Sequence, residues 1–127
     1  MIPVYRDWDE ETNEKYIPKM VYTTILNPNV EKDIILHKNR KAYMTCVSGN
    51  VLVEALVENK IKSYSLKFDE EVDFINLLII ENNIPIKIKN LSNLQSIVLN
   101  CPTPAWHPED QDTFKFKTWD DYRKWEG

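Results

Sequence analysis

HKNRKAYMTCVSGNVLV, residues 37–53, is the stretch whose reading decides the fold. A polar lead-in carrying His37 runs into alternating apolar residues over 41–47, breaks at Ser48-Gly49-Asn50 and resumes as Val51-Leu52-Val53. Period-two apolar residues on either side of a Gly-Asn pair predict a β-hairpin, because both turn residues tolerate positive φ. Upstream, MVYTTIL at 20–26 is β-branched and aromatic and predicts a strand, ended by Asn27-Pro28-Asn29, and 30–36 reads as a weaker strand leading into His37. Downstream, 51–57 and 61–68 flank Glu58-Asn59-Lys60 and predict a second hairpin, with Tyr64, Leu66 and Phe68 on one face. Residues 69–80 fit a short helix through Val72, Ile75, Leu78 and Ile79, but a loop followed by a strand over 76–80 is the preferred reading. Ile84, Ile86 and Ile88 alternate with Pro85, Lys87 and Lys89, placing the isoleucines on one face and the lysines on the other. Residues 95–100 (QSIVLN) form the next expected strand.

The segment from Pro102, PTPAWHPEDQDTFKF, holds three prolines and a run of acids, so an extended ordered loop is expected. Thr118, three residues before Asp121, resembles a capping box, and Trp119, Tyr122 and Trp125 share helical spacing, which predicts a short C-terminal helix. Residues 1–18 are acidic and aromatic and read as an arm preceding one domain over 19–127. Seven or so short strands without a long helix make an all-β antiparallel sandwich or barrel, whose inward side chains decide whether it holds a core, a metal or a ligand.

Composition narrows the possibilities. A chain of 127 residues, 43% hydrophobic, buries a core without metal or disulfide staples. The longest aliphatic run, Leu77 to Ile80, is far too short for a bilayer, and Met1 to Asp7 lacks the basic and apolar regions of a secretory signal. No membrane partner and a cytoplasmic location are expected. Cys46 and Cys101, without close spacing, read as buried free thiols. A net charge of −4 argues against a nucleic-acid partner. Two glycines serve many turns while asparagine occurs twelve times, with Asn29, Asn39, Asn50, Asn59, Asn82, Asn83 and Asn93 between apolar segments, where it substitutes for glycine in the left-handed region.

The spacing from His37 to Gly49, the segment IENNIPIKIKNLS (80–92) and the segment VLNCPTPAWHPEDQDTF (98–114) together resemble the cupins related to dTDP-4-keto-6-deoxysugar 3,5-epimerases and 3,4-ketoisomerases, over roughly residues 20–125. The resemblance implies a double-stranded β-helix, the cupin jelly roll, as a homodimer that binds a nucleotide-linked sugar in the barrel mouth during polysaccharide or deoxysugar biosynthesis. The departures are specific. Where such cupins present His-x-His, this chain has Ile35 and His37; in the second motif Asn83 stands in a glycine place and Ile86 in a histidine place; and Trp106, before His107-Pro108, occupies a position where the epimerases tend to carry a tyrosine.

A cupin metal site needs about three imidazoles and a carboxylate. With only His37 and His107 available, no metal and no cofactor are expected. Epimerisation beside a ketone needs a base and an acid, and His37 is the candidate base. Tyr43 is the candidate acid, with Tyr64 and Tyr22 as alternatives. Lys38, Arg40 and Lys41 suit a diphosphate, and Trp106 a nucleobase or the barrel cap. Asp110, Asp112, Asp120 and Asp121 lack the spacing of a calcium loop and read as solvated acids. Three functions follow: a keto-sugar epimerase or isomerase, a catalytically silent sugar-nucleotide binder, and an interaction module whose aromatic arm and tail form a dimer surface.

Overall fold

The computed structural model describes residues 20–69, 71, 76–103, 108–109 and 112–125. The expected arm over 1–18 lies outside the described residues. Among the described residues, nine strands precede one helix: β1 (Tyr22–Leu26), β2 (Ile34–His37), β3 (Ala42–Ser48), β4 (Asn50–Val57), β5 (Lys60–Lys67), β6 (Leu78–Ile80), β7 (Ile86–Asn90), β8 (Ser96–Asn100), β9 (Thr113–Phe116) and α1 (Trp119–Lys124). They form two antiparallel sheets, one ordered β1-β8-β3-β6 and the other β5-β4-β7-β2-β9. The all-β jelly roll expected from the sequence is the architecture observed.

The core lies where the two inner faces meet. Leu26, Ala42, Met44, Cys46 and Val98 come from the first sheet, and Val51, Val53, Ala55, Leu66, Ile86 and Ile88 from the second. The alternation of isoleucine and lysine in β7 works as the pattern required: Ile86 and Ile88 are buried, while Lys89 reaches Glu54 at 2.8 Å and Lys87 contacts Glu31 on the outer face. Each buried aliphatic side chain contributes roughly 1.5–3 kcal/mol, whereas the half-exposed outer ion pairs add little.

One local expectation is overturned. β3 and β4 do not pair, because β3 belongs to the four-stranded sheet and β4 to the five-stranded one. Ser48-Gly49-Asn50 is a corner that carries the chain from one sheet to the other. Gly49 takes φ +88°, and a Cβ there would stand 2.1 Å from Ser96 Oγ and 2.9 Å from the Ser96 Cα, so only glycine fits. The second hairpin is real: β4 and β5 pair from Asn50↔Lys67 to Val57↔Lys60, and Glu58 and Asn59 both take positive φ, the signature of a type I′ turn.

Among the asparagines read as turn residues, Asn29, Asn59 and Asn83 do adopt positive φ. Asn90 does more without it. Its Nδ2 donates to the carbonyls of Leu26, Asn27 and Leu94 at 3.0, 3.0 and 2.8 Å, and its Oδ1 accepts from Ser92 N and Ser96 Oγ. This network seals the end of the sandwich at which β3 turns into β4.

The tail was expected to be a loop throughout, but 113–116 form β9, which pairs with β2 from Ile34↔Phe116 to His37↔Thr113. α1 follows as predicted, with Thr118 Oγ1 accepting from Asp121 N at 3.1 Å. Tyr122 and Trp125 pack on Phe116, and Trp125 also on Phe114. That aromatic layer lies on the face of the sheet to which Ile34 and Leu36 point, since they are the register partners of Phe116 and Phe114. Their neighbours Ile35 and His37 therefore face the sandwich interior. Among the described residues, no helix is long and apolar enough to cross a membrane, and no cluster of His, Cys, Asp and Glu stands ready for a metal.

Candidate functional site

At the end of the sandwich opposite Asn90, the sheets part around a cavity of about 540 Å³. Strand alternation selects its lining. Ile35 and His37 come from β2, Thr113 and Lys115 from β9, Ile86 and Ile88 from β7, Ala42 and Met44 from β3, Tyr22 and Thr24 from β1, and Val98 and Asn100 from β8. Most of the wall is aliphatic. The two isoleucines that replace the expected imidazoles, Ile35 and Ile86, line the cavity and leave it open.

Two polar groupings stand out, with Lys32, Asp33, Glu81 and Lys115 elsewhere on the wall. At the first, Arg40 leaves the β2–β3 connection and is buried against Asp112, with Nε 2.9 Å from Asp112 Oδ2. Its Nη2 reaches Thr113 Oγ1 at 2.7 Å and His37 Nδ1 at 2.7 Å. Thr113 Oγ1 also lies 3.2 Å from His37 Nδ1 and donates to Asp112 Oδ1 at 3.2 Å. Backbone bonds hold the frame: Lys38 N donates to Asp112 O, and Asn83 N donates to His37 O. Burial, followed by the Arg40 charge and opposed by Asp112, pushes the His37 pKa down to about 4. The ring is neutral at pH 7. A buried Arg–carboxylate pair adds little net stability, but removing one partner costs about 3–5 kcal/mol because it strands the other charge.

At the second place, Asn100 Nδ2 donates to Tyr22 Oη at 2.7 Å. Burial raises the Tyr22 pKa, with Asn100 and the Arg40 charge acting the other way. The phenol keeps its proton at neutral pH, and that proton is left over for a ligand. Asn100 is 3% exposed, and its Oδ1 has no partner among the described residues.

The sequence-predicted site residues separate. His37 and Arg40 line the cavity together. Tyr43, expected as the acid, does not: it projects from the other face of β3 and is 2% exposed in a cluster with Cys101 and Leu77. Tyr22, named as an alternative, takes the cavity position. Lys38 and Lys41 line no part of the cavity. Lys38 lies over the Phe114 and Trp125 rings at 5.3 and 5.1 Å on the outer face, and Lys41 pairs with Glu81 at 3.2 Å. Trp106 and His107 lie outside the described residues. Asp112, read as a solvated acid, is instead 2% exposed beneath Arg40. Thr113 and Asn100 were missed. Nothing local marks them, because their neighbours in space lie more than seventy residues away in the chain. Cys46 and Cys101 are buried and not joined in a disulfide, and burial raises both thiol pKa values, so neither is an activated nucleophile.

Neither a protein-family model nor a curated protein sequence matches the chain. Solved structures do. The capsular polysaccharide assembling protein CapF from Staphylococcus aureus superposes with a TM-score of 0.69 at 18% identity, over 80% of this chain and 27% of CapF. The fold is the cupin jelly roll. The chain thus spans about a quarter of CapF. QdtA, a sugar 3,4-ketoisomerase from Thermoanaerobacterium thermosaccharolyticum solved with TDP, gives a TM-score of 0.65 at 15% identity, over 84% of this chain and 72% of QdtA. Drosophila melanogaster CENP-C bound to CAL1 gives 0.59 at 16% identity, over 66% and 61% of the two chains. The same cupin architecture therefore occurs in a sugar-converting enzyme and in a protein–protein complex, and only the site can separate such functions.

Proposed function

We propose that this chain is a nucleotide-sugar-binding cupin whose ligand is a dTDP-linked 4-keto-6-deoxysugar, with the sugar ring in the cavity between the sheets. The observation that carries this reading is an open cavity of about 540 Å³ with His37 in its wall. That volume lies within the usual span of small-molecule sites, roughly 300–1,000 Å³. An aliphatic wall suits the deoxygenated face of such a sugar, while His37 and Tyr22 offer hydrogen bonds to its oxygens. Lys32 and Lys115, which also line the cavity, supply cations for a diphosphate. The TDP complex of QdtA lends support through shared architecture.

Turnover as an epimerase or isomerase is the second reading, favoured by the pairing of a neutral imidazole with a protonated Tyr22 in one cavity. Hydrogen bonds from His37 and Tyr22 to a ketone oxygen stabilise the enolate formed when a carboxylate on the cavity wall, Asp33 or Glu81, takes the proton of the adjacent carbon, and that carboxylic acid or the Tyr22 phenol returns a proton to the carbon. Calorimetry with TDP and with a dTDP-4-keto-6-deoxyhexose tests the first reading. Saturable binding is expected, weakened about tenfold by His37→Leu through the loss of one hydrogen bond; absence of binding by either compound would end it. Incubation in deuterated water separates the two readings: deuterium at a carbon beside the ketone marks an enzyme, and binding without exchange marks a silent binder.

A further inference from the structure

We propose that Arg40 is a positioning residue: clasped by Asp112, it makes Nδ1 of His37 a hydrogen-bond acceptor and so fixes the imidazole as an Nε2–H donor toward the cavity. This deepens the nucleotide-sugar reading and rests on it only for the nature of the ligand. A guanidinium has donors and no lone pair to accept with. At 2.7 Å from Arg40 Nη2, His37 Nδ1 must therefore carry the lone pair, and a neutral ring then has its proton on Nε2.

The Arg40 fork cannot swing away. Its Nε is tied to the buried Asp112 carboxylate and Nη2 also feeds Thr113 Oγ1, whose own proton goes to Asp112 Oδ1. To become a cation, His37 would need a proton on Nδ1, facing a donor and a positive charge. The charged groups around it are Arg40 and Asp112, with Lys32, Asp33, Glu81 and Lys115 also on the cavity wall and the Tyr22 phenol facing the same space.

The chemical consequence is specific. Nε2 already holds a proton and Nδ1 has its lone pair engaged, so His37 takes no proton from a C–H bond. It gives a hydrogen bond to an acceptor oxygen of the ligand, a carbonyl above all. In this arrangement the histidine expected as a base serves as an electrophile.

The chain has two histidines, so a long-range proton–nitrogen NMR spectrum of the full chain labelled at histidine contains two rings, and His107→Asn identifies which is which. The expected spectrum shows His37 with bare Nδ1 and protonated Nε2 from pH 8 down to about pH 5, with a titration midpoint near 4. A proton on Nδ1, or an ordinary midpoint of about 6.5, would overturn the proposal. Arg40→Gln exposes the ring to Asp112 alone and should raise the midpoint by at least one pH unit, about tenfold in proton affinity. Should that variant fail to fold, Arg40→Met with Asp112→Asn leaves no buried charge and no donor from position 40, and a spectrum of this folded pair that still shows only bare Nδ1 and protonated Nε2 would equally overturn the role. All of this is read on the free protein. A failure of TDP-sugars to bind would sink the ligand reading and leave the imidazole spectrum intact, and an ordinary titration would do the reverse.

Discussion

Asn90 and Asn100 end β7 and β8 at opposite ends of the sandwich, equally buried at 3% exposure, yet their surroundings differ in kind. Asn90 satisfies both ends of its amide with five partners: Leu26 at the end of β1, Asn27 in the β1–β2 connection, Ser92 and Leu94 in the β7–β8 connection, and Ser96. Asn100 donates once, to Tyr22, and leaves its oxygen unmatched among the described residues. Buried polar groups are ordinarily paired. The Asn90 amide is fully engaged in holding its connections in place, whereas the Asn100 amide keeps an unused acceptor; the side-chain oxygen of Asn50, near Asn90, is also without a partner among the described residues, so the contrast is between the two amides.

The sharpest way to break this contrast is at the corner beside Asn90. Gly49→Ala forces a Cβ into Ser96 and a side chain onto a φ of +88°, and should destabilise the chain by roughly 3 kcal/mol or more from strain and overpacking combined. Denaturant unfolding measures this, and a loss below about 1 kcal/mol would show that the corner is not rigid. Asn90→Ala should come next, at about 2–4 kcal/mol, because the buried carbonyl of Leu26 and the partly buried ones of Asn27 and Leu94 lose their donor and Ser96 Oγ loses its acceptor.

Acid should reveal the other end. With the His37 pKa down at about 4 in the folded chain against 6.5 for an ordinary histidine, the unfolded chain binds a proton that the folded chain refuses. This contribution to stability is complete above pH 6.5 and drains away as pH falls to about 4. The melting temperature should drop across that window, and less so in His37→Asn. The smallest effect is expected for Asn100→Ala, under about 1 kcal/mol, because one neutral bond is lost and an unpaired oxygen leaves with it; a loss as large as that of Asn90→Ala would erase the distinction between the two amides.

How much of this was legible in the sequence depends on how far apart the partners lie. The β4–β5 turn, the helix cap at Thr118 and the two faces of β7 are local, and periodicity or turn chemistry declares them. The corner at Gly49 was misread because a glycine with positive φ serves equally to fold two strands together or to part them into two sheets. His37 and Arg40 were found because they stand three residues apart. Asp112 and Thr113 were not, since what buries them is the β2–β9 register, and a run of acids beside prolines looks the same whether solvated or enclosed. Tyr22 and Tyr43 both sit in β-strands; their orientation depends on strand phase relative to the core, which fixed Tyr43 outward and Tyr22 inward.

Strand pairing carries a further lesson about the order of events. Among the described strands, β4 and β5 are the one sequence-adjacent pair, whereas β1 waits for β8 and β2 for β9. Such a topology closes long loops before most contacts form, so folding should be slow and should begin at the β4–β5 ribbon. His37 then acquires its companions late, when β9 docks and brings Asp112 and Thr113. An imidazole without those companions is expected to titrate nearer the ordinary value of about 6.5, so the shift of the His37 titration during refolding would time the docking of β9.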